Sequence, residues 1–160
     1  MAPYQGGVEM IELVTFEKST CNQLPYKFEA GTPYIAGSIG LGAAITWLSS
    51  QDREALKQHE QSLLTSAQRR ADQMDGLKAI GTAPNKESVV SFLMEGAHPN
   101  DVGQLLDQQG IAVRTGHHCT MPLMDGLGIP GTVRASFSIY NTLEEVDRLF
   151  AGLEKVRQFL

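Results

Sequence analysis

The stretch TVRASFSIYNTLEEVDRLFAGLEKVRQF at residues 132–159 gives the clearest indication of the fold. Its first part, residues 132–140, alternates apolar and polar side chains, which is typical of a half-buried strand. Then comes TLEE at 142–145, a capping box in which Thr142 and Glu145 satisfy free amide groups at a helix N-terminus. The stretch therefore predicts a strand followed by an amphipathic helix. The apolar face of that helix is predicted to comprise Leu143, Val146, Leu149, Phe150, Leu153, Val156 and Phe159.

The sequence before this stretch continues the same alternation of helices and strands. Helical spacing of apolar residues predicts a long helix from about residue 52 to Gly76 and a shorter one over 100–109. Short apolar runs predict strands at 77–80, 88–94 and 111–113, and a loop follows the last of these. The predicted order α-β-β-α-β-β-α indicates an α/β protein of the α+β kind. Its sheet is expected to be mainly antiparallel and covered by helices on one side.

Residues 1–50 have a different character: residues 1–34 are rich in Gly, Pro and Thr and show one clear strand pattern, at 10–16. An apolar run at 35–48, opened by Pro33, predicts a buried helix. It is shorter than the roughly twenty residues that span a bilayer, so no membrane association is expected. The chain is therefore expected to have two parts, 1–50 and 51–160.

Composition narrows the possible functions and locations. Among 160 residues, 13 basic and 18 acidic side chains give a formal net charge of −5. An acidic chain is a poor candidate for nucleic-acid binding, which requires a basic surface. Two cysteines, Cys21 and Cys119, cannot form a disulfide framework and fit a reducing compartment. No signal peptide is visible at the start of the sequence, so the cytoplasm is the expected location.

The segment RTGHHCTMPLM at residues 114–124 carries the clearest chemical signal. It places the Cys119 thiol beside two imidazoles, His117 and His118, and close to Arg114. Positive neighbours favour the thiolate, which is the nucleophilic form of cysteine. An imidazole can supply or remove a proton near neutral pH. The segment therefore predicts a nucleophilic cysteine on a loop.

Each of these features also has a simpler interpretation. A cysteine is often a small buried apolar residue, and this interpretation is kept for Cys21. The His-His-Cys run could bind a metal, but contiguous residues rarely converge on one ion, so no metal is predicted. Arg134 could be a solvated charge, or it could hold a carboxylate with two hydrogen bonds. Thr32 could contact a phosphate together with Gly31. Composition favours Thr32 as an ordinary helix N-cap.

The 114–124 segment resembles the active-cysteine segment of the SufS/CsdA type of cysteine desulfurase. These enzymes have the class V aminotransferase fold and use pyridoxal phosphate. Further resemblances occur in family order and spacing, and together they cover essentially the whole chain. They are PYQGGVEMI at 3–11, with Val8 in place of a usual Gly, FEAGTP at 28–33, DVGQLLD at 101–107, RAS at 134–136 and YNTLEEVD at 140–147.

The resemblance implies a definite activity and a role for each matched residue. Sulfur is removed from L-cysteine, or selenium from selenocysteine, which leaves alanine and a persulfide on Cys119. Arg134 is implied to hold the substrate carboxylate, with Arg114 beside the active centre. His117 and His118 match catalytic motif positions and are candidates for a proton relay.

The resemblance also implies partners. Thr32, with Gly31, is implied to contact the phosphate of pyridoxal phosphate bound to the other subunit of a homodimer. A SufE-like protein is implied to accept the sulfur for iron–sulfur cluster assembly.

One family feature has no counterpart in this sequence. None of its lysines lies in the motif that surrounds the Schiff-base lysine of these enzymes. Residues 1–50 are therefore expected to be the end of the large domain with its bridging helix, and 51–160 the small domain that carries the active cysteine. The 160 residues alone are expected to be inactive. Two alternatives stay open: a non-catalytic interaction module, or a persulfide relay that uses Cys119 alone.

Overall fold

A computed structural model describes residues 1–159, which form two compact units, 1–51 and 52–159. In the first unit, strand β1 (Ile11–Val14) pairs antiparallel with β2 (Ser19–Cys21), and helix α1 spans Ile35–Ser49. Two short 3-10 helices, Val8–Met10 and Tyr26–Phe28, flank this hairpin. Among the described residues, no helix has both the length and the apolar character needed to span a bilayer.

Helix α1 corrects two expectations from the sequence. It begins at Ile35, two residues after the predicted start at Pro33. The prediction that it is buried is wrong, since Ile39 is 70% exposed and Trp47 is 58% exposed. The apolar residues of α1 are distributed on all sides of the helix, a pattern that predicts burial on every side. The small first unit cannot enclose a helix of this length, so its apolar side chains form an exposed surface.

The second unit contains a four-stranded antiparallel sheet in the order β3-β4-β6-β5. Its strands are β3 (Leu77–Ile80), β4 (Val89–Met94), β5 (Arg114–Gly116) and β6 (Thr132–Ser136). Its helices are α2 (Arg53–Gln73), α3 (Pro99–Asp107), α4 (Met121–Leu127) and α5 (Leu143–Arg157). The predicted α/β class, with a mainly antiparallel sheet and helices packed on it, is confirmed.

The core lies between one face of this sheet and the helices. Phe92 on β4 and Val133 on β6 are almost fully buried there, together with Leu63 and Leu64 of α2. Successive side chains of a strand point to opposite faces of the sheet. Arg134, which follows Val133 on β6, therefore lies on the face away from the core, where it is only half-buried. The sheet therefore presents a polar face away from its core.

The capping box of α5 is confirmed, but the predicted apolar face is too long. Thr142 Oγ1 accepts a hydrogen bond from the Glu145 N–H at 3.3 Å, and Glu145 Oε2 accepts one from the Thr142 N–H at 3.0 Å. Leu143 and Phe159, which the sequence placed on the buried face, are 47% and 77% exposed. They lie in the first turn and beyond the last one, where the helix no longer contacts the core.

The structure corrects two boundaries near Cys119. Residues 111–113 are not a strand, because the Ile111 N–H bonds to the Leu106 carbonyl and extends the end of α3; β5 begins only at Arg114. The region predicted as a loop after them contains the additional helix α4. Two signals of that helix are present in the sequence: Pro122 in its first turn, and Gly128, which ends it in a left-handed conformation.

Candidate active site

Cys119 lies on the loop 117–120, between the end of β5 and the start of α4, and is exposed. The Thr120 N–H and hydroxyl both donate to the His117 carbonyl, at 2.9 and 2.7 Å, which closes a tight turn. Within this turn His118 and Cys119 have φ angles of 54° and 63°. Two consecutive left-handed residues that carry side chains are uncommon and need support from their surroundings. The thiol is thus presented by a strained turn.

Two glycines allow the chain to enter this turn. Gly116 ends β5 and is paired with Thr132 of β6, the residue that follows Gly131. A Cβ atom added to Gly131 would lie 2.6 Å from the Gly116 carbonyl carbon. Both glycines also have positive φ angles, 103° for Gly116 and 150° for Gly131. A side chain on Gly131 would therefore push the two backbones apart at the base of the cysteine loop.

The two histidines of the motif have different partners. His117 is exposed, and its Nδ1 accepts a hydrogen bond from the Cys119 N–H at 3.1 Å. His118 points toward β6, where its Nε2 lies 3.2 Å from the Thr132 carbonyl oxygen and 2.9 Å from Thr132 Oγ1. Burial lowers the pKa of His118 below 6.5, and the charge of Arg134 acts in the same direction, while the bond to the Thr132 carbonyl opposes them. His118 is therefore neutral at neutral pH.

Two arginines complete the group. Arg114 Nη2 lies 3.7 Å from Cys119 Sγ, toward which it donates. Arg114 and Arg134 are direct partners across the β5–β6 ladder. Like charges opposite each other in a sheet are unfavourable, and an anion bound between them would relieve the repulsion. Arg134 Nε is also buried and has no hydrogen-bond partner among residues 1–159. The arrangement is suited to binding a carboxylate beside a thiol.

The second unit thus brings together five of the residues selected from the sequence: Cys119, His117, His118, Arg114 and Arg134. The remaining two, Gly31 and Thr32, belong to the first unit. Within the part of the chain that the structure describes, no three His, Cys, Asp or Glu side chains come together as a metal-binding group.

The interpretation of Thr32 as an N-cap is wrong. The N-cap position of α1 is Tyr34, and within residues 1–159 no side chain caps this helix. Thr32 lies two residues earlier in a bend, where the chain has not yet turned into the helix, and its side chain is exposed. Gly31 has a φ of 88° and open space where a Cβ would lie. The exposed Thr32 hydroxyl is able to contact an anion.

A family model described as aminotransferase class-V matches residues 1–149. The chain belongs to the class-V aminotransferase family. It is 49% identical to a probable cysteine desulfurase of Vibrio cholerae, over 100% of this chain and 39% of that protein. This class-V aminotransferase chain therefore spans about two fifths of the length of that curated relative.

Solved structures agree with this assignment. The class-V chain superposes on the cysteine desulfurase CsdA of Escherichia coli with a TM-score of 0.89 and 38% identity, over 100% of this chain and 40% of that one. It superposes on a cysteine desulfurase of Thermococcus onnurineus with a TM-score of 0.88 and 38% identity, over 99% of this chain and 40% of that one. The fold is therefore that of the corresponding part of a cysteine desulfurase.

Sequence analysis missed one member of the site, Thr132. This threonine is 1% exposed and contacts the His118 ring with both its hydroxyl and its carbonyl oxygen. A signal was present, because Thr132 lies two residues before Arg134 on the same strand and therefore on the same face of the sheet. The contact itself depends on the turn at His118, which the sequence does not reveal.

Proposed function

We propose that this chain is part of a pyridoxal-phosphate-dependent cysteine desulfurase and that Cys119 is its sulfur carrier. In this proposal residues 1–50 are the end of the large domain with its bridging helix, and 51–160 are the small domain. The observation that carries the proposal is the exposed Cys119 thiol with the Arg114 guanidinium 3.7 Å from its sulfur. The contact places a hydrogen-bond donor of Arg114 beside the sulfur that would attack the substrate.

The proposed reaction transfers one sulfur atom from substrate to enzyme. The Cys119 thiolate forms a bond to the sulfur of L-cysteine, and the carbon–sulfur bond of the substrate breaks. The electron pair of that bond stays with the carbon, which takes up a proton, so that alanine leaves. Cys119 is left as a persulfide. Selenocysteine would react in the same way and leave selenium on Cys119.

The arginine pair would position the substrate. Arg134 holds the substrate carboxylate in this proposal, because this half-buried residue is paired with Arg114 in the ladder and has an unpartnered Nε. Arg114 can contact the same anion or the Cys119 sulfur. His117 and His118 are proposed to move protons, with different capacities. The His118 ring is tied to Thr132, whereas the His117 ring is exposed and can exchange protons with solvent.

Part of the pyridoxal phosphate site fits residues of the first unit. The exposed Thr32 hydroxyl, next to Gly31 with its left-handed φ of 88°, suits the phosphate end of this cofactor. When bound, the cofactor supplies an electron sink that weakens the carbon–sulfur bond. The lysines of this chain do not occupy the family's Schiff-base motif, so we propose that the 160 residues alone are inactive. In a homodimer, Thr32 would serve the cofactor of the other subunit.

The fate of the sulfur belongs to the same proposal. An exposed persulfide on Cys119 is accessible to the thiol of a second protein, and a SufE-like acceptor in the cytoplasm would pass the sulfur to iron–sulfur cluster assembly. The exposure of Cys119 supports transfer to a protein, because a buried persulfide would reach only small thiols.

The test is alanine release from L-cysteine by the purified desulfurase that contains this chain. Cys119→Ser is expected to abolish alanine and sulfide formation, because serine cannot form a persulfide. Cys21→Ser is the matched control and is expected to retain full activity. Alanine release at the normal rate by Cys119→Ser would remove Cys119 from the nucleophile role.

A persulfide relay that needs no cofactor is the second candidate, and it is favoured by the same exposed thiol. Incubation of the 160-residue chain with a small-molecule persulfide donor, followed by mass spectrometry, separates the two. A relay gains one sulfur on Cys119 and passes it to an acceptor thiol even though the chain releases no alanine from L-cysteine. A chain that gains no sulfur would contradict the relay.

A further inference from the structure

The contact between His118 and Thr132 joins the cysteine loop to the sheet. Thr132 is 1% exposed on β6, and it faces the loop with both its hydroxyl and its carbonyl oxygen. A carbonyl oxygen only accepts hydrogen bonds, so Nε2 of His118 carries the ring proton and donates it to Thr132. His118 Nδ1 is left with a lone pair, buried and without a partner among the described residues.

This contact lies next to the strained part of the backbone. His118 and Cys119 both have left-handed φ angles, and a residue with a Cβ adopts such a conformation only when its surroundings hold it there. Within the loop, the Thr120-to-His117 bonds close the turn, and the Cys119 N–H is bound by His117. All of these bonds are local. The His118 ring makes a bond that fixes the left-handed pair to the neighbouring strand.

We propose that Thr132 is a positioning residue, which acts through the His118 ring to hold Cys119 in its left-handed conformation with the thiol against Arg114. The inference rests on the proposed function only in that it assigns a purpose to this placement, since Cys119 is the proposed sulfur carrier. The hydroxyl at 2.9 Å is the shorter of the two contacts, so its loss would leave the ring held only by the longer bond to the carbonyl at 3.2 Å. The loosened turn would then move Sγ away from the guanidinium.

The first test measures how fast Cys119 reacts with iodoacetamide, relative to Cys21 in the same molecule, by mass spectrometry at pH 7. Thr132→Val keeps the size of the side chain and removes the hydroxyl. It is expected to slow the relative alkylation of Cys119 by about threefold or more, the effect of losing one neutral hydrogen bond. Thr132→Ser retains the hydroxyl and should restore the rate. Thr115→Val, at the neighbouring β5 position, is the matched control and should leave it unchanged.

The second test needs no variant and therefore does not depend on folding of the mutants. Long-range ¹H–¹⁵N NMR of the purified protein reports which ring nitrogen of His118 is protonated. The expected result is a neutral ring with its proton on Nε2 at pH 7. A charged ring or a proton on Nδ1 would overturn the inference, as would a Thr132→Val protein that is alkylated at the wild-type rate, or a Thr132→Ser protein that is slowed equally.

Both measurements are made without substrate, so they are independent of the desulfurase proposal. If alanine release requires Cys119 while alkylation ignores Thr132, the positioning role fails and the proposed function stands. If alkylation depends on the Thr132 hydroxyl while L-cysteine gives no alanine, the proposed function fails and the positioning role stands.

Discussion

Arg114 and Cys119 are five residues apart in sequence, yet the turn at 117–120 brings the guanidinium Nη2 to 3.7 Å from Sγ. Arg114 is held by its place in β5, opposite Arg134. Cys119 is held by the turn and not by a strand. The contact between cation and sulfur therefore depends on both the sheet register and the loop conformation.

Replacing Arg114 is expected to slow the reaction of the thiol. Arg114→Gln removes the charge and keeps a polar side chain. It should reduce Cys119 alkylation at pH 7 by about three- to tenfold relative to Cys21. The effect is limited to this size because solvent screens an exposed charge pair. The control Arg148→Gln removes an equal charge from an exposed position on α5 and should leave the ratio unchanged. Equal effects of the two substitutions would mean that net charge, and not this contact, governs the thiol.

His118 should make stability depend on pH in a defined direction. Burial lowers its pKa in the folded protein below the ordinary value of 6.5. Well above pH 6.5 both states are neutral, and the His118 contribution is fully present. As the pH falls from 6.5 through the lowered folded pKa, the unfolded chain binds the proton first, so this contribution is progressively lost.

The measurement is urea unfolding between pH 5 and 8 for the wild type and for His118→Gln, which cannot take up a proton in this range. The difference in unfolding free energy between the two proteins should shrink as the pH is lowered. Parallel curves would contradict the lowered pKa. Taking the difference removes the contributions of the other titrating groups.

Gly131→Ala should destabilise the second unit. The new Cβ would lie 2.6 Å from the Gly116 carbonyl carbon, and the backbone at a φ of 150° disfavours a side chain. The expected cost is about 1–3 kcal/mol of unfolding free energy, comparable to overpacking in a core. The control is Gly126→Ala in α4, where an added Cβ meets open space. That change should be neutral or stabilising by up to about 1 kcal/mol, since alanine favours helix.

Thr142→Ala should weaken the start of α5. The substitution removes the acceptor of the Glu145 N–H and should reduce the unfolding free energy by about 1 kcal/mol, the usual effect of losing an N-cap. Thr142→Ser keeps the oxygen and should lose much less. Urea denaturation of both variants checks the prediction, and an equal loss in the two would show that the hydroxyl is not responsible.

The part of the fold that follows from local patterns could be predicted from the sequence. The alternation that begins at Thr132 located β6, although the strand ends at Ser136 and not at residue 140 as predicted, and the capping box at Thr142 placed the start of α5 correctly. These signals act over a few neighbouring residues. The apolar run at residues 111–113 predicted a strand that does not form, because the Ile111 N–H donates a hydrogen bond to the Leu106 carbonyl instead of pairing in the sheet. The helical pattern failed for Leu143 and Phe159, because exposure at a helix end depends on where the core stops.

The candidate site divides in the same way. The motif at 114–124 identified the residue types, and β6 supplied Arg134. The different hydrogen-bond partners of His117 and His118 could not be predicted, since they arise only through the left-handed turn. For the same reason the contact of Thr132 with His118 could not be predicted, although the position of Thr132 on the strand was.

The short loop that carries Cys119 limits how a sulfur atom could travel. Residues 117–120 connect β5 directly to α4, and an extended chain spans only about 3.3–3.6 Å per residue. Hydrogen bonds within the turn shorten that reach further. A persulfide on Cys119 could therefore not move far over the surface, as it could on a long flexible loop. Delivery would instead require the acceptor to approach the turn and present its own thiol within bonding distance of a nearly stationary sulfur.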